Sequence, residues 1–149
     1  MRAVVQRVRS ARVEADGELT GAIGVGLVAF VGAAQGDTQA DIEYVAGKVV
    51  GLRVFPDDAG KMSRTLADVG GALLVVSQFT VLGDVRRGLR PSFDAAMEPV
   101  SAERMYDEFV RLSRARGVRV ETGRFRADMR VLVENDGPVT ILIDSRRLF

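Results

Sequence analysis

A chain of 149 residues, 47% hydrophobic and 28% charged with a formal net charge of +1, fits one globular domain over residues 1–149. It is large enough to bury a core without disulfides or metal. With neither histidine nor cysteine, it excludes a Ser-His-Asp triad, a Cys-His pair and an imidazole or thiolate zinc site.

Ala3 to Val8 reads as a β-branched strand, and Val13 with the Asp16-Gly17 pair predicts a second strand and its turn. Arg2, Arg7, Arg9 and Arg12 leave no room for an apolar signal core, so the expected compartment is the cytoplasm. The apolar stretch from Gly21 to Ala34, broken by Gly24 and Gly26, is shorter than the roughly 20 residues a spanning helix needs. It reads instead as a buried strand over Leu27 to Val31. Asp37 or Thr38 is placed to cap a helix in which Ile42, Val45, Ala46, Val49 and Val50 recur at helical spacing.

Arg53 to Phe55 then predicts a strand entering a turn at Asp57-Asp58-Ala59-Gly60. The two aspartates suit an Asx-type turn better than a calcium site, because a hard cation wants six or more oxygen ligands. Ala72 to Val76 is a continuous apolar run that turns polar at Ser77-Gln78-Phe79-Thr80, followed by a Gly- and Arg-rich loop from Gly83 to Pro91. Ser101, after Pro99, is the expected cap of a second helix, with Met105, Phe109 and Leu112 on one face and Asp107 paired to Arg111; Gly117 ends it. Val118 and Val120, then Met129, Val131 and Val133, predict further strands. Asn135-Asp136-Gly137-Pro138 reads as a turn before Ile141 and Ile143. The sum is an α+β domain: a mostly antiparallel, barrel-like sheet with two main helices.

Candidate chemistry is sparse. Ser77 and Thr80 carry hydroxyls, but a hydroxyl is a weak nucleophile without a base beside it. Nothing places Lys48 or Lys61 near them. From spacing alone, a polar strand end that satisfies neighbouring backbone is the better account of Ser77 to Thr80. Gly137-Pro138 exposes two consecutive carbonyls with little side chain in the way, which suits acceptance of hydrogen bonds from a ligand amine as well as a simple turn. All basic residues but Lys48 and Lys61 are arginine, a side chain suited to phosphate, though genome base composition produces the same bias.

The segments Gln6-Arg7-Val8, Val75-Val76-Ser77-Gln78-Phe79-Thr80, Arg90-Pro91-Ser92-Phe93, Thr122-Gly123-Arg124-Phe125, Ala127-Asp128-Met129 and Asn135-Asp136-Gly137-Pro138-Val139-Thr140 together resemble the D-aminoacyl-tRNA deacylases of the common bacterial and eukaryotic type. The resemblance runs the whole chain; Ser-Gln-Phe-Thr and Asn-Asp-Gly-Pro-Val-Thr at this separation are its specific part. It departs at Arg126, where many relatives carry a small residue, and in a minor way at Val81.

The resemblance implies a hydrolase that cleaves the ester of D-aminoacyl-tRNA, and of mischarged glycyl-tRNA, while rejecting L-aminoacyl-tRNA. It needs no cofactor or metal, because the RNA 2′-OH assists. It implies a homodimer in which a cis Gly137-Pro138 bond reaches into the opposite subunit's pocket, its carbonyls facing the substrate's amino group. Ser77, Gln78, Phe79 and Thr80 are the implied catalytic floor, with the Phe79 and Thr80 N–H groups meeting the ester and terminal ribose. Phe125 and Met129 lie near the same pocket, and Arg86, Arg87 and Arg90 are candidates for tRNA contact. Neither a membrane nor DNA is an expected partner. Two other classes fit the residues: a noncatalytic dimeric RNA-binding module using Arg86, Arg87, Arg90, Arg111 and Arg114, and a structural dimer that binds no RNA.

Overall fold

The computed structural model describes all residues from Met1 to Phe149. β1 (Arg2–Ala15) is one continuous strand where the sequence suggests two. It forms antiparallel pairs with β2 (Glu18–Ile23) and β3 (Gly26–Gly32) along one edge. Along the other edge it pairs with the long terminal strand β8 (Met129–Asp144).

Next to β3 lies β6 (Ala72–Ser77), and next to β6 lies β7 (Arg119–Thr122), both pairings parallel. The sheet is therefore mixed: three of its five pairings are antiparallel, as the sequence suggests, and two are parallel, which the sequence reading did not anticipate. The reason lies in the two crossovers. α1 (Gln39–Gly51) and the small hairpin of β4 (Phe55–Pro56) and β5 (Met62–Arg64) separate β3 from β6. α2 (Pro99–Ala115) separates β6 from β7. Parallel neighbours need such connections, and strands covered on both faces read as unbroken apolar runs. Leu27, Ala29, Val31, Leu73 and Val75 face the helices in the larger core, while Val28, Leu74 and Val76 face a second core with Val8 and Val13. The sheet curls until β7 nearly meets β2. A Cβ on Gly21 would stand 2.7 Å from the Thr122 carbonyl oxygen, so the approach requires glycine there.

α1 buries Ile42, Val45, Ala46, Val49 and Val50, the face read from their spacing. Thr38 is its cap residue, and the Asp41 carboxylate accepts from the Thr38 N–H and hydroxyl at 2.8 and 2.9 Å. α2 is capped by Glu98 rather than Ser101. The Glu98 carboxylate accepts from the N–H groups of Val100 and Ser101, and Pro99 takes the first helical position, where no N–H is needed. Arg111 pairs with Glu108 at 2.7 Å rather than with Asp107. Phe109 is fully buried, with Tyr106, Val110 and Ser113 beside it. The Asp57 carboxylate accepts from the backbone of Ala59 and Lys61 and from the Ser63 hydroxyl, which is the Asx turn.

Residues 135–138 do not reverse the chain. Both flanks pair with β1 in one direction, Thr140 opposite Gln6 and Asn135 opposite Val8, so the segment between is an outward loop within one strand. No helix is long and apolar enough to cross a membrane.

Candidate active site

A cavity of about 530 Å³ has Arg126 as the only charged side chain in its lining. Its floor is the end of β6, where Ser77 gives way to a single 3-10 turn, Phe79–Leu82. The parallel pairing with β3 ends here, with the Gln78 N–H donating to Val31 O at 2.8 Å. The turn's own ladder starts at Val81 N, which donates to Gln78 O. That ladder uses neither the Phe79 nor the Thr80 N–H, the usual condition of donors in a first helical turn.

The Thr80 hydroxyl accepts from the Gln78 side-chain amide at 2.9 Å. No basic side chain is hydrogen-bonded to it. Phe79 is exposed and packs edge-on against Phe93, ring centroids 5.0 Å apart.

The opposite wall carries Phe125, Arg126, Ala127 and Met129 from the connection into β8, and the start of α2 adds Met97, Pro99, Ala102 and Tyr106. Phe125 packs against Tyr106 with ring centroids 5.9 Å apart and the planes tilted by 45°. Burial pushes the Tyr106 phenol well above its usual range, with Asp107 adding to the effect, and its hydroxyl donates to Val75 O at 2.9 Å. Tyr106 is thus a fixed neutral wall rather than a base. Arg126 has φ +60°, a left-handed conformation that disfavours a side chain and explains why a small residue suits this place.

The structure brings Ser77, Gln78, Phe79, Thr80, Phe125 and Met129 into one cavity and leaves the other expected site residues outside it. Gly137 and Pro138 are exposed on the loop of β8, joined by a cis bond. Arg7 braces that loop. Its Nε donates to Asp136 O at 3.1 Å and lies 3.4 Å from the Asp136 carboxylate, while Nη1 donates to Val54 O. The Asn135 side chain closes the loop's neck, donating to Val139 O and accepting from Val139 N. The loop is therefore a fixed projection.

Arg86, Arg87 and Arg90 sit on the segment closed by the Asp84–Ser92 bridge, next to Phe93. Arg86 is held by Asp84 through a 2.6 Å ion pair, which keeps the Asp84 carboxyl well below its usual range and raises Arg86. Arg87 and Arg90 are exposed, and neither forms an ion pair.

Sequence reasoning assigned no role to Arg7, Asn135, Phe93 or the α2 wall. Arg7 sits in the Gln6-Arg7-Val8 segment, but its carbonyl partner Asp136 is 129 positions away.

The profile of the D-Tyr-tRNA(Tyr) deacylase family matches residues 4–144. The chain is 71% identical to the D-aminoacyl-tRNA deacylase of Sorangium cellulosum and 56% identical to that of Anaeromyxobacter dehalogenans, each match covering 100% of both chains. A solved structure titled c-Myc DNA Unwinding Element Binding Protein superposes with a TM-score of 0.90 at 41% identity, covering 97% of this chain and 98% of that one. A probable eukaryotic D-amino acid tRNA deacylase superposes at 0.83 with 17% identity over 96% and 98%, a likeness of fold.

Proposed function

This chain belongs to the D-Tyr-tRNA(Tyr) deacylase family and is a D-aminoacyl-tRNA deacylase, a hydrolase, and from that premise we propose how it works. It acts as a homodimer, the Gly137–Pro138 loop of each subunit completing the other's cavity. The observation that carries this is the loop's condition: braced by Arg7 and Asn135, exposed, and absent from the lining of its own chain's cavity.

Hydrolysis adds water across the ester. The water oxygen bonds to the acyl carbon, the ribose oxygen leaves with a proton, and the oxyanion between these steps needs donors. The Phe79 and Thr80 N–H groups face that role, and the neighbouring ribose 2′-OH supplies the proton handling that Ser77 and Thr80 cannot. Positioning and main-chain hydrogen bonds contribute the rest, effects that reach roughly 7 to 11 kcal/mol in favourable cases.

Chirality follows from the main chain. With the substrate ammonium donating to the Gly137 and Pro138 carbonyls and the ester on the 77–80 floor, an L side chain is driven into the loop backbone. A D side chain points outward, and glycine, having none, passes. Arg87 and Arg90 meet phosphate near the 3′ end.

Incubation with D-aminoacyl-, L-aminoacyl- and glycyl-tRNA should release amino acid from the first and third only. Light scattering should give a dimer. A fully active monomer, or equal hydrolysis of D and L esters, would overturn the reading.

A further inference from the structure

A second surface concavity, about 550 Å³, lies on the outer face of α1, lined by Tyr44, Gly47, Lys48, Gly51, Leu52 and Arg53 with no acidic residue among them. Four cations converge on it. Lys48 and Arg147 both stack on the Tyr44 ring, 5.6 and 5.5 Å from its centroid. The Arg116 guanidinium hangs over Gly47, 3.6 Å from where a Cβ would stand, and Arg53 closes the far end. None of the four is in an ion pair, whereas Arg2, Arg7, Arg9, Arg12, Arg64, Arg86, Arg111, Arg119, Arg124 and Arg146 all are. Asp68 is close enough to feel Arg53 but accepts its hydrogen bonds from Thr65.

One cation in the last turn, Lys48, is enough to complement the helix dipole. Arg116 donates to Leu112 O at the end of α2, whereas Arg53 and Arg147 have no such local reason to gather. Two like charges on one aromatic ring repel each other unless an anion joins them. Gly51 has nothing within 4 Å of its missing Cβ, so the helix backbone there is open to close approach.

The face also adjoins the loop. Arg53 is one residue from Val54, whose carbonyl accepts from the same Arg7 that holds Asp136.

We propose that this face of α1 binds the phosphate backbone of the tRNA substrate, through Lys48, Arg53, Arg116 and Arg147, in addition to the loop of Arg87 and Arg90. The proposal rests on the deacylase reading for its ligand. Contacts of this kind set orientation and affinity and carry no base sequence.

The test is a triple variant, Lys48→Gln, Arg53→Gln and Arg147→Gln, at three exposed positions. It is assayed on D-aminoacyl-tRNA, on a D-aminoacyl ester of adenosine that carries no phosphate, and for binding of uncharged tRNA across a salt series. KM for the charged tRNA should rise at least about tenfold, and the slope of log affinity against log salt should become shallower by about 2 to 3. Turnover of the adenosine ester should match the wild type. A charge-preserving variant, Lys48→Arg with Arg53→Lys, should keep tRNA affinity. Unchanged tRNA affinity and salt slope in the triple variant would overturn the proposal, as would an equal fall on both esters. If the wild type hydrolyses neither ester, the deacylase reading fails instead, and uncharged tRNA binding still decides the fate of this face.

Discussion

Replacing Arg7 with methionine keeps a long apolar stem and deletes the guanidinium donors that brace the Gly137–Pro138 loop, leaving the Asn135 contacts at its neck and the Arg9 contact to Asp136. The side chain is only 11% exposed, and two backbone carbonyls lose a charged donor, those of Asp136 and Val54. Hydrogen bonds to charged groups contribute about 1.5–3 kcal/mol each. The Asp136 carbonyl regains water once its loop loosens, whereas Val54 is buried and its carbonyl stays dry, so a net loss of about 2–4 kcal/mol follows. At this chain length that lowers Tm by about 5–15 °C. The functional effect should be larger in proportion. A loop adrift by about 1 Å costs on the order of 100-fold in rate, and a loop that yields admits L side chains, so the preference for D over L should shrink as well. Urea denaturation and single-turnover deacylation of both stereoisomers, on one preparation and normalised to folded protein, measure all three quantities. A destabilised variant with wild-type rate and wild-type discrimination per folded molecule would refute the reasoning, because the loop would then need no brace.

Ser77→Ala and Thr80→Ala should each retain most of the single-turnover rate, while a substrate ending in 2′-deoxyadenosine should react far more slowly; loss of activity in both well-folded variants would return the chemistry to side chains. Gly137→Ala should lose both stability and rate. Its φ of +128° suits glycine, and the added methyl would stand 2.8 Å from Val139 Cγ2 and 3.0 Å from an Arg7 nitrogen, so turnover per folded molecule, expected to drop about 100-fold, is the readout that separates a role at the substrate from a role in the loop alone. Burial pushes the Asp41 carboxyl up, but hydrogen bonds from Ser145 and Thr38 and the nearby N-terminal charge outweigh it and hold the pKa at about 2. A depressed folded-state pKa contributes stability that is present above the unfolded value near 4 and is lost as pH falls toward 2, so Asp41→Asn should lower Tm at neutral pH and flatten its decline across that window.

What the sequence disclosed and what it hid divide along distance. The inward face of α1 was legible from spacing alone because a helix is a local object. The polar end at Ser77-Gln78-Phe79-Thr80 was legible because an apolar run there ends abruptly. The parallel pairing of β3 with β6 was not read, although both runs are apolar without alternation, as strands covered on two faces are. Asn135 to Pro138 has the composition of a turn, and nothing local says that its flanks continue along one neighbour. The cap of α2 passed to Glu98 because Pro99 fixes the first helical position one residue later. Arg7 was hidden for the plainest reason: its function is set by residues at the far end of the chain.

The pairing of the first strand with the last governs when this molecule can form. β1 and β8 meet from Arg2 opposite Asp144 to Ala15 opposite Met129, so the longest seam of the sheet joins stretches far apart in order of synthesis. At roughly 5 to 20 residues per second, the N-terminal strand waits several seconds with its apolar face and one edge unpaired. Folding therefore waits for β8, in the slower class of topologies dominated by non-local contacts. A nascent chain stalled before Met129 would expose an edge open to a neighbour's strand. The Gly137–Pro138 loop lies on that strand and is set in place by Arg7, a side chain made 129 positions before the Asp136 it holds.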